Sequence, residues 1–297
     1  MFLCFFQELI LNYLSGGIEM GQGLYTKLIQ IAAQVLGVLP SKIHTSGFTT
    51  DLMPNTIVTG ASVGTDLYGP AVVQACEEIN SRIAKYKNQN KCGKWEEWVM
   101  AAWMDCTSLV AYGYYDNWHN IDYDFLTNKG KNFHYFTYGA GAIRVEVNCV
   151  TGDITILSAD LVVDLGKSIN PAIDMGQIEG AFMQGIGYMT TEEIRMSSAS
   201  GMLLTFGPGD YKVPNISDLP LNMNVRFANH NQGPTSAAFS SKGIGEPPLL
   251  LAVGIPSAVR MAVGSYRQDR GFEDEWINLK PPLTPKKVAM VCQNKQI

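Results

Sequence analysis

The sequence predicts an α+β fold, mixed sheets with packed helices, from three observations. Apolar residues recur at helical spacing in some stretches and alternate with period two in others. The two kinds of stretch follow one another without a regular strand–helix–strand rhythm, which argues against a doubly wound sheet. Across 297 residues, 46% are hydrophobic and 16% charged, ample apolar material for a core and no composition of disorder. Twenty-nine glycines and fourteen prolines add many tight turns and close backbone approaches.

Taken in order, the opening "MFLCFFQELILNYL" is apolar but carries Glu8 and lacks a basic leader region or a small-residue cleavage site. It is shorter than the about 20 apolar residues a membrane span takes, and it predicts one strand at most. Leu24, Leu28, Ile31, Ala32, Val35 and Leu36 mark a helix that Gly37 stops. "SKIHTSGFTTD" reads as extended, and a second helix starts near Pro70, burying Val72, Ala75, Ile79 and Ile83. Residues 86–94 form a polar loop, and Trp95 to Ala102 a further helix. Ile143, Val145 and Val147 alternate with charged or polar neighbours as a half-buried strand. "TGD" at Thr151 turns that strand into Ile154 and Ile156, with another strand at Leu161 to Leu165. A glycine-laden helix follows in "NPAIDMGQIEGAFMQGIGYM", and a short amphipathic piece spans Thr284 to Val291. The expected organisation is an N-terminal segment 1–14, a domain over 15–265 and a charged, Pro-rich tail over 266–297.

Composition also excludes. A net charge of −5 with no basic run speaks against a nucleic-acid surface. Cys4, Cys76, Cys92, Cys106, Cys149 and Cys292 contain no C-x-x-C pair, so they suit neither an iron–sulfur cluster nor a zinc ribbon. Free thiols in a reducing compartment fit better, and a cytoplasmic location is expected. His44, His119, His134 and His230 lie far apart, and no metal site built from protein side chains is expected. Neither a dinucleotide fingerprint nor a P-loop is present.

Four segments carry candidate chemistry: "EMGQG" (19–23), "TGASVGTD" (59–66), "GAFMQGIG" (180–187) and "GIGEPPL" (243–249). Glycines ahead of the Leu24 helix leave backbone N–H groups at its positive end, which suits an anion. Gln22 adds an uncharged amide able to read a polar ligand edge; a plain turn with an exposed Gln is the alternative. Ala61 and Ser62 are small enough to let the main chain approach a ligand, or simply to form a turn. Gln184 stands on an apolar helix. A buried amide without partners there costs roughly 1–3 kcal/mol, so it bonds locally or faces a ligand. Glu246 precedes two prolines that remove backbone donors and stiffen the stub holding its carboxylate. Read alone it is a helix-start acid or a general base.

Together, "GGIEMGQGLYTK", "PNTIVTGASVGTDLYG", "FHYFTYGAGAIRVEVNCVTGD", "LGKSINPAIDMGQIEGAFMQGIGYMTTEE" and "SKGIGEPPLLLA" resemble the C-terminal part of the molybdenum-cofactor domain of the xanthine dehydrogenase and aldehyde oxidase family. The likeness runs in order from Ser15 to Ala262, and weakly through Thr284 to Cys292. It implies that Gly21, Gln22, Ala61 and Ser62 contact the molybdopterin cofactor, that Gln184 lies over the metal centre and that Glu246 is the general base. The implied reaction hydroxylates a purine, another N-heterocycle or an aldehyde, with water as the oxygen source. The metal is held by the pterin dithiolene, so no side chain is named as a metal ligand. Iron–sulfur clusters and FAD are implied only on upstream domains. The implied partners are a small-molecule substrate, the upstream half of the molybdenum domain or a partner subunit, and a second copy in a homodimer, with no nucleic acid and no membrane.

The sequence departs from the family in two respects. Gly64 stands where the family often has Ser, removing one cofactor hydrogen bond. The family's upstream Phe-Gly cofactor loop and its substrate-pocket Arg, Glu and Phe have no counterpart. The expectation is a C-terminal piece or truncated paralogue that keeps the base and half of the cofactor cradle; a non-catalytic interaction protein retaining the fold is the alternative.

Overall fold

The computed structural model describes residues 2–7, 10–45, 49–115, 122–228, 237–272 and 277–293. The chain divides into two units, each assembled from separate stretches. The first comprises Met1–Thr137, Leu165–Asp174 and His230–Gly243; the second comprises Tyr138–Asp164, Met175–Asn229 and Ile244–Ile297. His119, His230 and the Cys4 side chain lie outside the described residues.

In the first unit, β1 (Phe2–Gln7), β2 (Ile10–Leu14), β3 (Ile43–Thr45) and β4 (Tyr112–Gly113) form a sheet in the order β3-β2-β1-β4. β1 is antiparallel to β2 and β4, whereas β2 and β3 are parallel. Parallel neighbours need a crossover, and α1 (Leu24–Leu36) supplies it. Leu28, Ile31 and Ala32 are fully buried, as their spacing requires, and Gly37 closes the helix. α2 (Gly64–Gln89) and α3 (Trp95–Met104) complete this core, where Val72, Ala75 and Ile79 share a cluster with Leu11 and Tyr13.

Three elements differ from expectation. The N-terminal segment forms two strands of a hairpin rather than one. α2 begins at Gly64, six residues before the expected start, and Pro70 lies inside it. Burial of Tyr68 and Gly69 against the core holds the extra turn helical despite the ladder bond that Pro70 cannot donate. The same helix runs to Gln89 because Tyr86 is buried, its hydroxyl bonded to Asp105 and Thr107, so the expected loop at 86–94 starts only at Asn90.

In the second unit, β5 (Tyr138–Val147), β6 (Ile154–Asp164) and β7 (Asn222–Phe227) pair in that order, first antiparallel and then parallel. Ile143, Val145 and Val147 are half-buried and Arg144 and Glu146 exposed, the predicted alternation. β6 is one strand of eleven residues where the sequence predicted two pieces; with β5 and β7 on either side, its polar middle has ladder partners on both edges. α4 (Pro171–Thr190) buries Ile178, Phe182 and Ile186, and a short α5 (Pro208–Tyr211) follows. A 3-10 stretch, Pro247–Val253, leads into α6 (Gly254–Asp269), which lies on β5 with Ile255, Val259 and Val263 fully buried. Pro247–Asp269 is long and apolar enough to cross a membrane by composition, but these contacts make it a packed helix of this unit. α7 (Pro285–Cys292) docks on α6, where Arg267 Nη1 donates to the Val291 carbonyl at 3.2 Å. Both sheets mix parallel and antiparallel pairs, so the α+β expectation holds.

Candidate functional site

The turn before α1 is built around Glu19. Its Oε1 accepts the N–H groups of Gly21 and Gly23, each at 2.9 Å, and its Oε2 accepts that of Tyr25 at 3.1 Å. No side chain caps α1 from the N-cap position itself, Gly23, so Glu19 does that work from four residues upstream. The anion these N–H groups meet is the chain's own carboxylate. Gln22 is half-buried and bonds within the same turn, accepting Met20 N–H at 2.6 Å and donating Nε2–H to the Ile18 carbonyl at 2.8 Å. That leaves one amide hydrogen and one lone pair of Gln22 outside these two bonds.

The Ala61–Ser62 segment adjoins this turn. Ile18 N–H donates to Thr59 Oγ1 at 3.1 Å, so two of the segments singled out in the sequence meet in the first unit. Ala61 and Ser62 are successive non-glycine residues with positive φ, 53° and 56°. Each such residue costs about 1–3 kcal/mol, a strain typical of ligand-holding turns. A third segment arrives at Gly243, where an added Cβ would lie 2.4 Å from the Ser62 carbonyl oxygen, so only glycine fits. Gly243 N–H donates to the Tyr135 hydroxyl at 2.8 Å, and Tyr135 donates to Asp66 Oδ2.

In the second unit, Gln184 projects from α4 and is exposed; its amide has no hydrogen-bond partner among the described residues. Of the two readings of Gln184, a local bond and a ligand-facing amide, the structure shows no local bond: the polar residue on this apolar helix faces outward. Beside it, Gly185 lets the backbone of Pro247–Val253 come close, since a Cβ there would sit 2.5 Å from the Leu249 carbonyl oxygen. Glu246 is the residue just ahead of that 3-10 stretch. It is exposed and makes no side-chain cap hydrogen bond. Pro247 and Pro248 offer no N–H, and Leu249 N–H goes to the Glu246 main-chain oxygen at 3.1 Å.

Two buried charges support the first unit. Lys27 Nζ and Asp174 Oδ1 pair at 2.5 Å, and Ser168 Oγ donates to Asp174 Oδ2 at 2.5 Å. Asp66 is pushed up to about 6 by burial, which outweighs the Tyr135 hydrogen bond and the Lys27 charge that pull it down. Its Oδ1 is buried with no hydrogen-bond partner among the described residues. Burial together with Asp66 holds the Tyr135 hydroxyl above its ordinary range.

These residues can present a neutral amide, a serine and one strained turn in one unit, and an amide with a carboxylate in the other. Among the described residues no group of three or more His, Cys, Asp or Glu is placed to hold a metal ion. The donor set fits a polar cofactor that brings its own metal ligands. Sequence reasoning missed Glu19, Asp66 and Tyr135. An acid on the upstream edge of a glycine turn, before a helix with no Ser, Thr, Asp or Asn cap, was the signal for Glu19.

Residues 11–220 match the molybdopterin cofactor-binding domain family. The chain is 46% identical over 277 residues to the xanthine dehydrogenase/oxidase of Gallus gallus, a match covering 93% of this chain and 20% of that protein. It is 43% identical over 281 residues to aldehyde oxidase 1 of Oryctolagus cuniculus, covering 94% and 21% respectively. The chain thus spans about a fifth of the length of these curated relatives. Among solved structures, quinoline 2-oxidoreductase from Pseudomonas putida 86 matches with a TM-score of 0.78 at 23% identity, over 99% of this chain and 38% of that one. The aldehyde oxidoreductase from Desulfovibrio gigas matches with a TM-score of 0.80 at 23% identity, over 98% and 30%. The shared fold covers both units, and the family match runs through the turns of Gln22, Ala61 and Ser62 and the helix of Gln184: the chain belongs to the molybdopterin cofactor-binding domain family.

Proposed function

We propose that this chain holds the cofactor and carries the general base of a molybdenum hydroxylase of the xanthine dehydrogenase and aldehyde oxidase type. Its substrate in this reading is a purine, another N-heterocycle or an aldehyde. The observation that carries the proposal is Glu246, an exposed carboxylate held just ahead of Pro247 and Pro248. In this reading Gly21, Gln22, Ala61, Ser62 and Gln184 are the residues that would hold the cofactor. The bound molybdenum–molybdopterin group supplies a redox metal that takes up the substrate's electrons. Glu246 takes up, at a carboxylate oxygen, the proton released as water-derived oxygen is transferred.

The relatives are about five times as long, and this reading pairs the chain with the rest of such a protein or with a partner subunit, or with a second copy. A cytoplasmic location belongs to the same proposal, supported by five described cysteines of which none is in a disulfide. The test is Glu246→Gln in cofactor-loaded protein. Turnover of a purine or aldehyde should fall by about 10²–10⁴-fold with molybdenum content unchanged. Turnover that survives the substitution rejects the base, and protein without molybdenum or pterin rejects the reading as a whole.

A further inference from the structure

We propose that Asp66 and Tyr135 are positioning residues for Glu246: the Tyr135 hydroxyl, oriented by the Asp66 carboxylate, anchors the backbone at Gly243, three residues upstream of Glu246. The inference rests on the reading of Glu246 as the base.

The geometry is directional. An ionised carboxylate only accepts hydrogen bonds, so the Tyr135 proton points at Asp66 Oδ2 and a lone pair is left for Gly243 N–H. A lone tyrosine hydroxyl would rotate freely; with Asp66 beside it, it serves Gly243 as an acceptor. The neighbouring contacts have the same effect. Thr137 Oγ1 donates to the Gly243 carbonyl at 3.2 Å, and Lys242 Nζ donates to the Phe136 carbonyl at 2.9 Å. Lys242 N–H donates to the Leu165 carbonyl at 2.9 Å, and Gly166 and Ser241 form a bridge.

Residues 241–243 are thus fixed on one side by 135–137 and on the other by 165–166. Beyond them, Ile244 is buried, and Pro247 and Pro248 stiffen the far side of Glu246. Only Gly245 separates the buried Ile244 from Glu246, so loosening Gly243 releases the upstream end of the stub.

Amide hydrogen–deuterium exchange, resolved to single residues, tests the anchor on the full chain without requiring cofactor. Tyr135→Phe removes the acceptor of Gly243 N–H and should speed exchange there about tenfold, with α1 and α2 protected as in the unaltered protein. Asp66→Ala should do the same. Asp66→Asn keeps the shape and an acceptor oxygen and should restore most of the protection. Unchanged exchange at Gly243 in Tyr135→Phe overturns the inference.

In cofactor-loaded protein, Tyr135→Phe should lower kcat about tenfold or more with KM and molybdenum content unchanged. Faster exchange with unchanged kcat, where Glu246→Gln abolishes turnover, rejects the positioning role and leaves the base standing. Full turnover in Glu246→Gln rejects the base and with it the positioning role, while the exchange result still reports whether the anchor exists.

Discussion

The Glu19 carboxylate and the Gly23 amide lie 2.9 Å apart, which makes an acidic side chain the N-terminal partner of α1. The same carboxylate accepts from Gly21 and Tyr25, so three otherwise unserved N–H groups converge on one residue. Gln22 is carried inside that loop and fixed by its own bonds to Met20 and Ile18. The turn therefore has its shape before any ligand arrives.

Glu19→Ala should remove about 1–2 kcal/mol of stability, the usual range for a lost helix cap. Urea unfolding is the measurement, and the slope with denaturant should stay constant while the midpoint falls. Glu19→Gln keeps one acceptor oxygen and should lose less. An alanine variant as stable as the original would show that water serves these N–H groups equally well.

Gly185→Ala should be more damaging than Gly180→Ala on the same helix α4. Its Cβ would sit 2.5 Å from the Leu249 carbonyl oxygen and 2.6 Å from the Ala252 side chain, forcing the Pro247–Val253 backbone away. Overpacking of this kind costs typically about 1–3 kcal/mol. Gly180, where an added Cβ meets nothing within 4 Å, is the control, because alanine there should gain helix propensity. Thermal unfolding of the two variants side by side decides, and equal melting temperatures would contradict the close approach.

Asp66 makes stability depend on pH. Its carboxyl is raised by burial from the ordinary 3.8 to about 6, so the folded state binds the proton more tightly than the unfolded chain. The contribution is fully present below about pH 3.8 and is lost as pH rises through about 6. Asp66→Asn carries no such titration, so relative to wild type the variant should gain on the order of 2–3 kcal/mol between pH 4 and pH 7.5. Paired urea unfolding at the two pH values measures it; a stability difference indifferent to pH would falsify the assignment.

Much of this arrangement was legible along the chain. α1 was readable because Leu24, Leu28, Ile31 and Leu36 recur at one helical face and Gly37 follows. β5 was readable because Ile143, Val145 and Val147 alternate. The start of α2 was not: Pro70 has the signature of a first helical turn, and only the burial of Tyr68 and Gly69 carries the helix back to Gly64. β6 looked broken at its polar middle because its ladder partners lie on β5 and β7, the latter about sixty residues downstream in sequence.

The candidate site divides in the same way. Residue identity alone determined that amides, small residues and one carboxylate stand on glycine-rich turns, because local backbone freedom and side-chain chemistry are written residue by residue. Tertiary structure decided what those groups do. It gave the N–H groups before α1 to Glu19, turned Gln184 outward, set Gly243 against Ser62, and linked Asp66 through Tyr135 to the Gly243 amide. Each of the long-range pairings brings together residues distant in the chain, Asp66 with Tyr135 and Ser62 with Gly243. A hydrogen bond or a steric limit between such pairs depends on a meeting that no local pattern encodes.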